Sequence, residues 1–341
     1  MANRNPSAPR ILAVRFSSIG DIVLITPLLR ALRTRHWDCY LAVVTKREYA
    51  PLLSDNPHLD QVIEYDGGTP LTSLAAELRA GRFSHHLDLH DNLRSRALRW
   101  LVPGRWTGYP RYRLARTLLI RTKRNVYPEN TPPIPERFFA AARELDVQPD
   151  GKPAEIHIKP SERQRADRWL EEHGLAQARP LVVAAPMAAH ATKRWPVEAW
   201  RPLVQRIIEA GGDVAVVGGP GDVAACQSVA QAGGDRAASS AGVMGLQGTG
   251  AILHRARVVV SGDTGVMHMS TALGTPVVAL FGPTVEPFGF FPYRAESTVL
   301  QRELRCRPCS KMGGPACPLG HHRCLRDITP DEVALALERW L

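Results

Sequence analysis

Six cysteines in 341 residues are too few for a secreted disulfide scaffold, although four of them crowd into Cys306–Cys324. No stretch approaches the roughly 18 uninterrupted apolar residues of a membrane-spanning helix. The best candidate, Ile22–Leu32, is broken by Pro27 and Arg30. The opening residues MANRNPSAPR lead into no apolar segment ending at a small-residue cleavage site, so no signal peptide is expected. The expectation is a cytoplasmic protein, at most peripheral to a membrane. Low-complexity tracts and a solenoid period are also missing. So is G-x-G-x-x-G, which removes the ordinary dinucleotide site.

What remains is ordinary globular composition, 44% hydrophobic and 22% charged, in a chain long enough for two domains. The charge balance is less ordinary. Lys and Arg number 43 and Asp and Glu 33, a net of +10, which points to an acidic partner: nucleic acid, a membrane surface or a phosphorylated substrate.

The chain alternates short apolar runs with helical spacing. Arg10–Arg15 reads as a buried strand, Phe16–Gly20 as a small polar turn, and Asp21–Arg33 as a helix with Pro27 near its first turn or at a kink. Tyr40–Thr45 supplies the next strand. The second half repeats the grammar: strands at Leu181–Ala185, Asp213–Val217, Val258–Ser261 and Pro276–Phe281, and helices at Pro196–Ala210 and Val266–Leu273. No run of strands alone appears, so the fold class is α/β, with two doubly wound domains. The boundary falls between Val147 and Pro180, dividing the chain into 1–155 and 156–341. Ser161–Gly174 reads as a helix with a Ser161/Gln164 capping box, and Thr329–Glu332 as another box opening the last helix.

Three junctions carry candidate chemistry. Ser17-Ser18-Ile19-Gly20-Asp21 lies at the carboxyl end of the first strand, where open α/β sheets bind ligands and a helix N-terminus favours an anion. Read alone, Asp21 or Ser18 simply caps the helix. Ser261-Gly-Asp-Thr-Gly-Val-Met-His268 repeats the geometry, with Gly262 and Gly265 admitting a ligand, Thr264 offering a hydroxyl and His268 one turn further on. Lys193-Arg194-Trp195-Pro196 places a lysine before a helix, where it can meet a phosphate; alone it is a solvated loop lysine beside a packed Trp195.

Together with Ala272-Leu-Gly-Thr-Pro-Val-Val-Ala-Leu-Phe-Gly-Pro-Thr284, these segments resemble the family 9 glycosyltransferases, the ADP-heptose:lipopolysaccharide heptosyltransferases of Gram-negative bacteria. The resemblance runs from about Ile11 to the C-terminal helix. It implies a GT-B fold, two Rossmann-like domains facing across a cleft. It also implies inverting transfer of a heptose from ADP-heptose to a lipopolysaccharide inner-core acceptor. By position, Asp21 becomes the general base. Ser18, Gly20, Lys193, Asp263, Thr264, Gly265 and His268 become donor-binding residues, with Met244 lining the adenine pocket and Gly218–Gly221 approaching the nucleotide. The chain lacks D-x-D, so cationic side chains and helix N-termini replace a catalytic metal at the diphosphate. A helix N-terminus would also weaken Asp21 as a base.

Two features lie outside that signature. Cys306-x₂-Cys309-x₇-Cys317-x₆-Cys324 has the spacing of a four-thiolate centre for structural zinc or iron. Arg94–Arg124 holds ten basic residues and no Asp or Glu, with Trp100, Trp106, Tyr109 and Tyr112 interleaved. It carries the whole net charge, since the remaining 33 basic and 33 acidic residues cancel. In the family context Arg94, Arg96, Arg111 and Arg113 would face an anionic lipid-linked acceptor at the inner face of the cytoplasmic membrane. His85, His86, Asp88, His90 and Asp91 read as a buried strand with a polar end rather than a metal site. Other readings keep the fold with a different nucleotide-sugar or a protein acceptor, or make the chain a basic nucleic-acid-binding protein. No recognition helix supports the last, so no nucleic-acid partner is expected.

Overall fold

A computed structural model describes residues 8–176 and 178–341. The start of the chain, on which the reading of no signal peptide rests, lies largely outside the described residues. The chain divides into two compact units. The first holds the described residues up to Arg111 together with Ile134–His157; the second holds Tyr112–Pro133 and Ile158–Leu341.

The first unit is a parallel sheet flanked by helices. Its strands are β1 (Arg10–Val14), β2 (Tyr40–Lys46), β3 (Gln61–Tyr65), β4 (His85–Asp88) and β5 (Trp106–Gly108), in the order β3-β2-β1-β4-β5. Ile11, Leu12, Ala13 and Val14 are fully buried, as expected of a strand covered on both faces. After β1 come α1 (Ile19–Leu24) and α2 (Thr26–Arg35), separated at Ile25. The single helix expected over Asp21–Arg33 is therefore two. Pro27 cannot donate to a preceding turn and sits in the first turn of α2, where no donor is needed. The unit continues with α3 (Leu71–Ala80) and α4 (Leu93–Leu101). The chain then leaves for the second unit with α5 (Arg113–Thr122) and returns at α6 (Ile134–Arg137).

The second unit opens with α7 (Pro160–Glu172). Lys159 is its N-cap and Pro160 its first residue, so Ser161 is not the cap that the spacing suggested. The sheet comprises β6 (Leu181–Ala185), β7 (Asp213–Val216), β8 (Ala237–Ser239), β9 (Val258–Gly262), β10 (Val277–Phe281) and β11 (Ser297–Gln301), all parallel. Its order is β11-β10-β9-β6-β7-β8. The helices are α8 (Val197–Glu209), α9 (Val223–Ala230), α10 (Leu246–Arg255), α11 (Gly265–Ala272), α12 (Arg323–Arg326) and α13 (Pro330–Leu337). The capping box at Thr329 and Glu332 is present, with the Glu332 amide donating to Thr329 Oγ1 at 3.2 Å. Trp195, Trp200, Leu203, Val260, Leu325 and Val333 belong to one buried core.

Each sheet reverses its winding once, between β1 and β4 in the first unit and between β6 and β9 in the second. At such switch points the flanking loops diverge and leave a crevice at the carboxyl ends of the strands. Among the described residues, no helix is long and apolar enough to cross a membrane.

Candidate functional site

The switch point of the first unit is built by the turns after β1 and β4. Asp21, in the first turn of α1, accepts at Oδ2 from the Ser18 amide at 3.2 Å and from Ser18 Oγ at 3.0 Å. This is the capping role that the spacing allowed. Its other oxygen forms an ion pair with Arg15, a partner the sequence reading did not assign. The Arg15 guanidinium is fixed in turn: Nε donates to Ser17 O at 2.8 Å and Nη1 to Leu89 O. Burial pushes the Asp21 carboxyl up, but Arg15 and Ser18 outweigh it and hold it below the ordinary carboxylate range. Ser18 is exposed and Gly20 buried.

The end of β4 supplies Asp88, and the turn after it supplies His90. His90 Nδ1 accepts from the Phe16 amide at 3.1 Å, so a neutral ring carries its proton on Nε2. Burial and the neighbouring Arg15 push its pKa down to about 4, and the ring is neutral at physiological pH. Asp88 is fully buried and saturated. Oδ1 accepts from the His90 and Asp91 amides at 3.0 and 2.7 Å; Oδ2 accepts from Ser95 Oγ and Arg99 Nε, both at 3.0 Å. His86 is buried and stacked on Trp106 at 4.7 Å.

In the second unit, the loop after β6 ends in a turn at Ala191–Lys193 and is anchored by Trp195. That indole is buried, donates from Nε1 to Ile328 O at 3.0 Å and packs edge-on against Trp200. Lys193 Nζ reaches Asp263 Oδ2 at 2.6 Å, and Thr284 Oγ1 donates to the same oxygen at 2.6 Å. Asp263 is only 5% exposed. It therefore stands behind Lys193 as its counter-ion. Gly262 admits this arrangement, because a Cβ there would lie 2.8 Å from Lys193 O. The spacing had assigned that freedom to ligand approach; the structure gives it to the lysine loop.

Thr264 is the N-cap of α11, and its hydroxyl lies 3.0 Å from Ser261 Oγ rather than capping the helix. Thr264, Gly265 and Val266 are half-exposed, and the first turn of α11 has backbone N–H groups without partners inside the helix. His268 is buried on the same helix, edge-on to Phe290 at 6.3 Å. Met244 is buried in the turn before α10. In the loop after β7, Gly218 packs against Cys226 and the Gly219 amide donates to Asp222 at 2.9 Å.

The structure does not show the expected four-thiolate metal centre. Among the described residues, no three His, Cys, Asp or Glu side chains gather closely enough to hold a metal ion, and the four cysteines are free thiols. Cys324 is buried on α12 in the core, while Cys306, Cys309 and Cys317 are half-exposed. Cys306 Sγ lies 3.9 Å from His321 Nε2, and Cys317 Sγ accepts from the His322 amide at 3.4 Å. Burial, then neighbouring thiols, pushes the Cys324 thiol up to about 11.

The basic stretch is also less uniform than its sequence. It is divided between the two units after Arg111. Acids just outside it pair with it: Asp91 with Arg96 at 2.9 Å, Asp88 with Arg99 at 2.9 Å and, from further along the chain, Glu144 with Arg105 at 2.6 Å. Arg111 donates to His90 O and Asp91 O, while Arg94 lies 5.4 Å from the Phe16 and Tyr65 ring centres. Trp106 and Tyr109 are structural, but Leu93, Trp100 and Leu114 are exposed.

Comparison with known proteins bears on the family and the fold. The model of the family described as Glycosyltransferase family 9 (heptosyltransferase) matches residues 71–319. The lipooligosaccharide heptosyltransferase 2 of Haemophilus influenzae is 27% identical over 354 residues, covering 96% of this chain and 97% of that protein. A solved family 9 glycosyl transferase from Veillonella parvula superposes with a TM-score of 0.82 at 24% identity, covering 98% of each chain. The Escherichia coli ADP-heptose LPS heptosyltransferase II gives 0.75 at 24% identity, over 97% of this chain and 98% of that one. At that identity the structures establish a shared fold, two Rossmann-like α/β units of the GT-B type.

Proposed function

Because the chain belongs to glycosyltransferase family 9, the heptosyltransferases, we propose that it transfers a heptose from ADP-heptose to an acceptor of the lipopolysaccharide inner core. The observation that carries this reading is the lysine at the second unit's switch point. Lys193 is held by a buried aspartate at the same sheet edge as the half-exposed N-terminus of α11. That is the cation-plus-helix arrangement a diphosphate requires. The relative from Escherichia coli bears ADP-heptose in its description, which supports the choice of donor.

The reaction is an inverting displacement that uses no divalent metal at the diphosphate. The acceptor oxygen forms its bond to the anomeric carbon as the bond to the ADP oxygen breaks, and the acceptor proton passes to Asp21. Lys193 and the N–H groups at Thr264–Val266 take up the charge appearing on the leaving phosphate. Asp263 holds Lys193 in place. Gly265 and His268 complete the diphosphate and ribose contacts, Met244 borders the adenine, and Ser18 and Gly20 contact the donor from the turn that carries the base. Arg94, Arg96, Arg111 and Arg113 meet the anionic acceptor. Exposed Leu93 and Trp100, on either side of Arg96 on α4, support peripheral contact with the inner face of the cytoplasmic membrane.

The test is incubation with a panel of ADP- and UDP-sugars and a heptose-acceptor lipid, with products identified by mass spectrometry. Turnover of ADP-heptose is expected, and exclusive use of another donor would refute the assignment. Asp21→Ala should lose transfer by at least 10³-fold, an order-of-magnitude expectation for removal of a general base, while ADP binding measured by calorimetry is unchanged.

A further inference from the structure

The cysteine-rich segment has no role in the chemistry above, yet it touches both loops that build the lysine site. Thr192, immediately before Lys193 and 4% exposed, is held almost entirely by it. The Gly314 amide donates to Thr192 Oγ1 at 2.8 Å, and the Thr192 amide donates to Gly314 O at 3.2 Å. His322 donates from Nε2 to Thr192 O at 2.9 Å. Gly313 has a φ of +98°, and a Cβ there would lie 2.7 Å from the His190 side chain. Only glycine lets the segment press this closely onto the lysine loop.

The same segment grips the loop after β10, which supplies Thr284 to Asp263. Arg307 donates from Nε to Gly282 O at 2.5 Å and from Nη2 to Thr284 O at 2.8 Å. The Cys309 amide donates to Pro283 O at 3.3 Å. Thus one arm of the segment fixes the backbone that presents Lys193. The other fixes the backbone that presents the hydroxyl on its counter-ion.

We infer that the Cys306–Cys324 segment is the brace of the donor site, and that Thr192 and Arg307 are positioning residues acting through Lys193 and Asp263. This rests on the reading of Lys193 as the cation for the donor diphosphate. The physical reason lies in the lysine itself. Its ammonium is a point charge on a stem of four rotatable bonds, so its value to a phosphate depends on where the backbone and counter-ion hold it. Asp263 and Thr284 fix the head, and Thr192 fixes the root. The segment therefore sets donor affinity without touching the donor.

The experiment compares ADP binding by calorimetry and steady-state kinetics in the full chain for Thr192→Val, Thr192→Ser, Arg307→Lys and Lys193→Ala. Valine keeps the shape of threonine but leaves the Gly314 amide without its acceptor. It should weaken ADP binding about tenfold, the equivalent of one lost buried hydrogen bond. The KM for the nucleotide-sugar should rise alongside, with kcat and the acceptor KM little changed. Serine, which keeps the hydroxyl, should restore affinity to within about twofold on the same reasoning. Arg307→Lys keeps the charge, loses the two-carbonyl fork and should show the same selective loss, which keeps the test open if the valine variant fails to fold. Variants that melt earlier yet bind ADP normally would reduce the segment to a purely structural role and overturn the proposal. If Lys193→Ala weakens ADP binding while the brace variants do not, the brace alone fails. If Lys193→Ala leaves ADP binding intact, the reading beneath it fails as well.

Discussion

Arg15 determines what kind of base Asp21 can be. A carboxylate held low by a buried guanidinium stays ionised across the working range, but it is a weak proton acceptor. A displacement at an anomeric carbon tolerates this, because the attacking hydroxyl becomes acidic only as its bond to an oxocarbenium-like centre forms. In the proposed reaction the proton would transfer late, to a base that needs position more than strength. The sign of the pH dependence follows. With Arg15 present, protonation of Asp21 should limit kcat/KM only below the ordinary carboxylate range. In Arg15→Met the cation that lowers the pKa is gone and the burial that raises it remains, so the acid limb should move up towards neutrality. A pH–rate profile of both proteins checks this; an unmoved limb would separate Asp21 from the proton transfer.

At the level of elements, the two sites depend on how closely loops can pass the ends of strands. Gly262, the last residue of β9, is the least yielding instance, since the atom an alanine would meet at 2.8 Å is the backbone carbonyl of Lys193. Gly262→Ala should cost roughly 1–3 kcal/mol by overpacking, read from urea unfolding, and should weaken ADP binding because the lysine root is displaced. The strands around these loops were legible in the sequence. Leu181–Ala185 and Val277–Phe281 are apolar throughout because both faces are covered, and such runs have few other readings. Helix starts beside proline were less so: Pro160 occupies the first helical position and passes the cap back to Lys159, away from Ser161. The partners of the site residues were least legible. Arg15 meets Asp21 because α1 turns back over the end of β1. Thr284 meets Asp263 across 21 residues because β10 lies beside β9. The acids that answer Arg99 and Arg105 come from the end of β4 and the turn near Glu144. No local spacing encodes strand order.

At the scale of the whole molecule, the segment closing the first unit is pinned by charge. Arg30 binds Asp150 at 2.6 Å and Glu155 at 2.6 Å, His58 reaches Glu155 at 3.0 Å, and the Glu155 amide donates to Thr26 Oγ1 at 2.9 Å. Burial works against the Glu155 carboxylate, but His58 and Arg30 prevail and bring its pKa down to about 2. A carboxyl depressed on folding adds stability above its unfolded pKa, near 4.5, and loses it as pH falls towards 2. Glu155→Gln should therefore cost on the order of 1–3 kcal/mol at pH 7. The difference from the parent should shrink between pH 4.5 and 2, as followed by urea unfolding at each pH; a constant difference would show that the loss is one of shape. The path of the chain has a consequence of another kind. It passes from one unit to the other after Arg111, after Pro133 and after His157, and α5 travels with the second unit, where Lys123 Nζ donates to Pro308 O at 2.6 Å. The second unit is thus not a single stretch of gene. A recombination between relatives with one join near residue 157 would deliver that unit without α5, so lineages can exchange it intact only by replacing two stretches together.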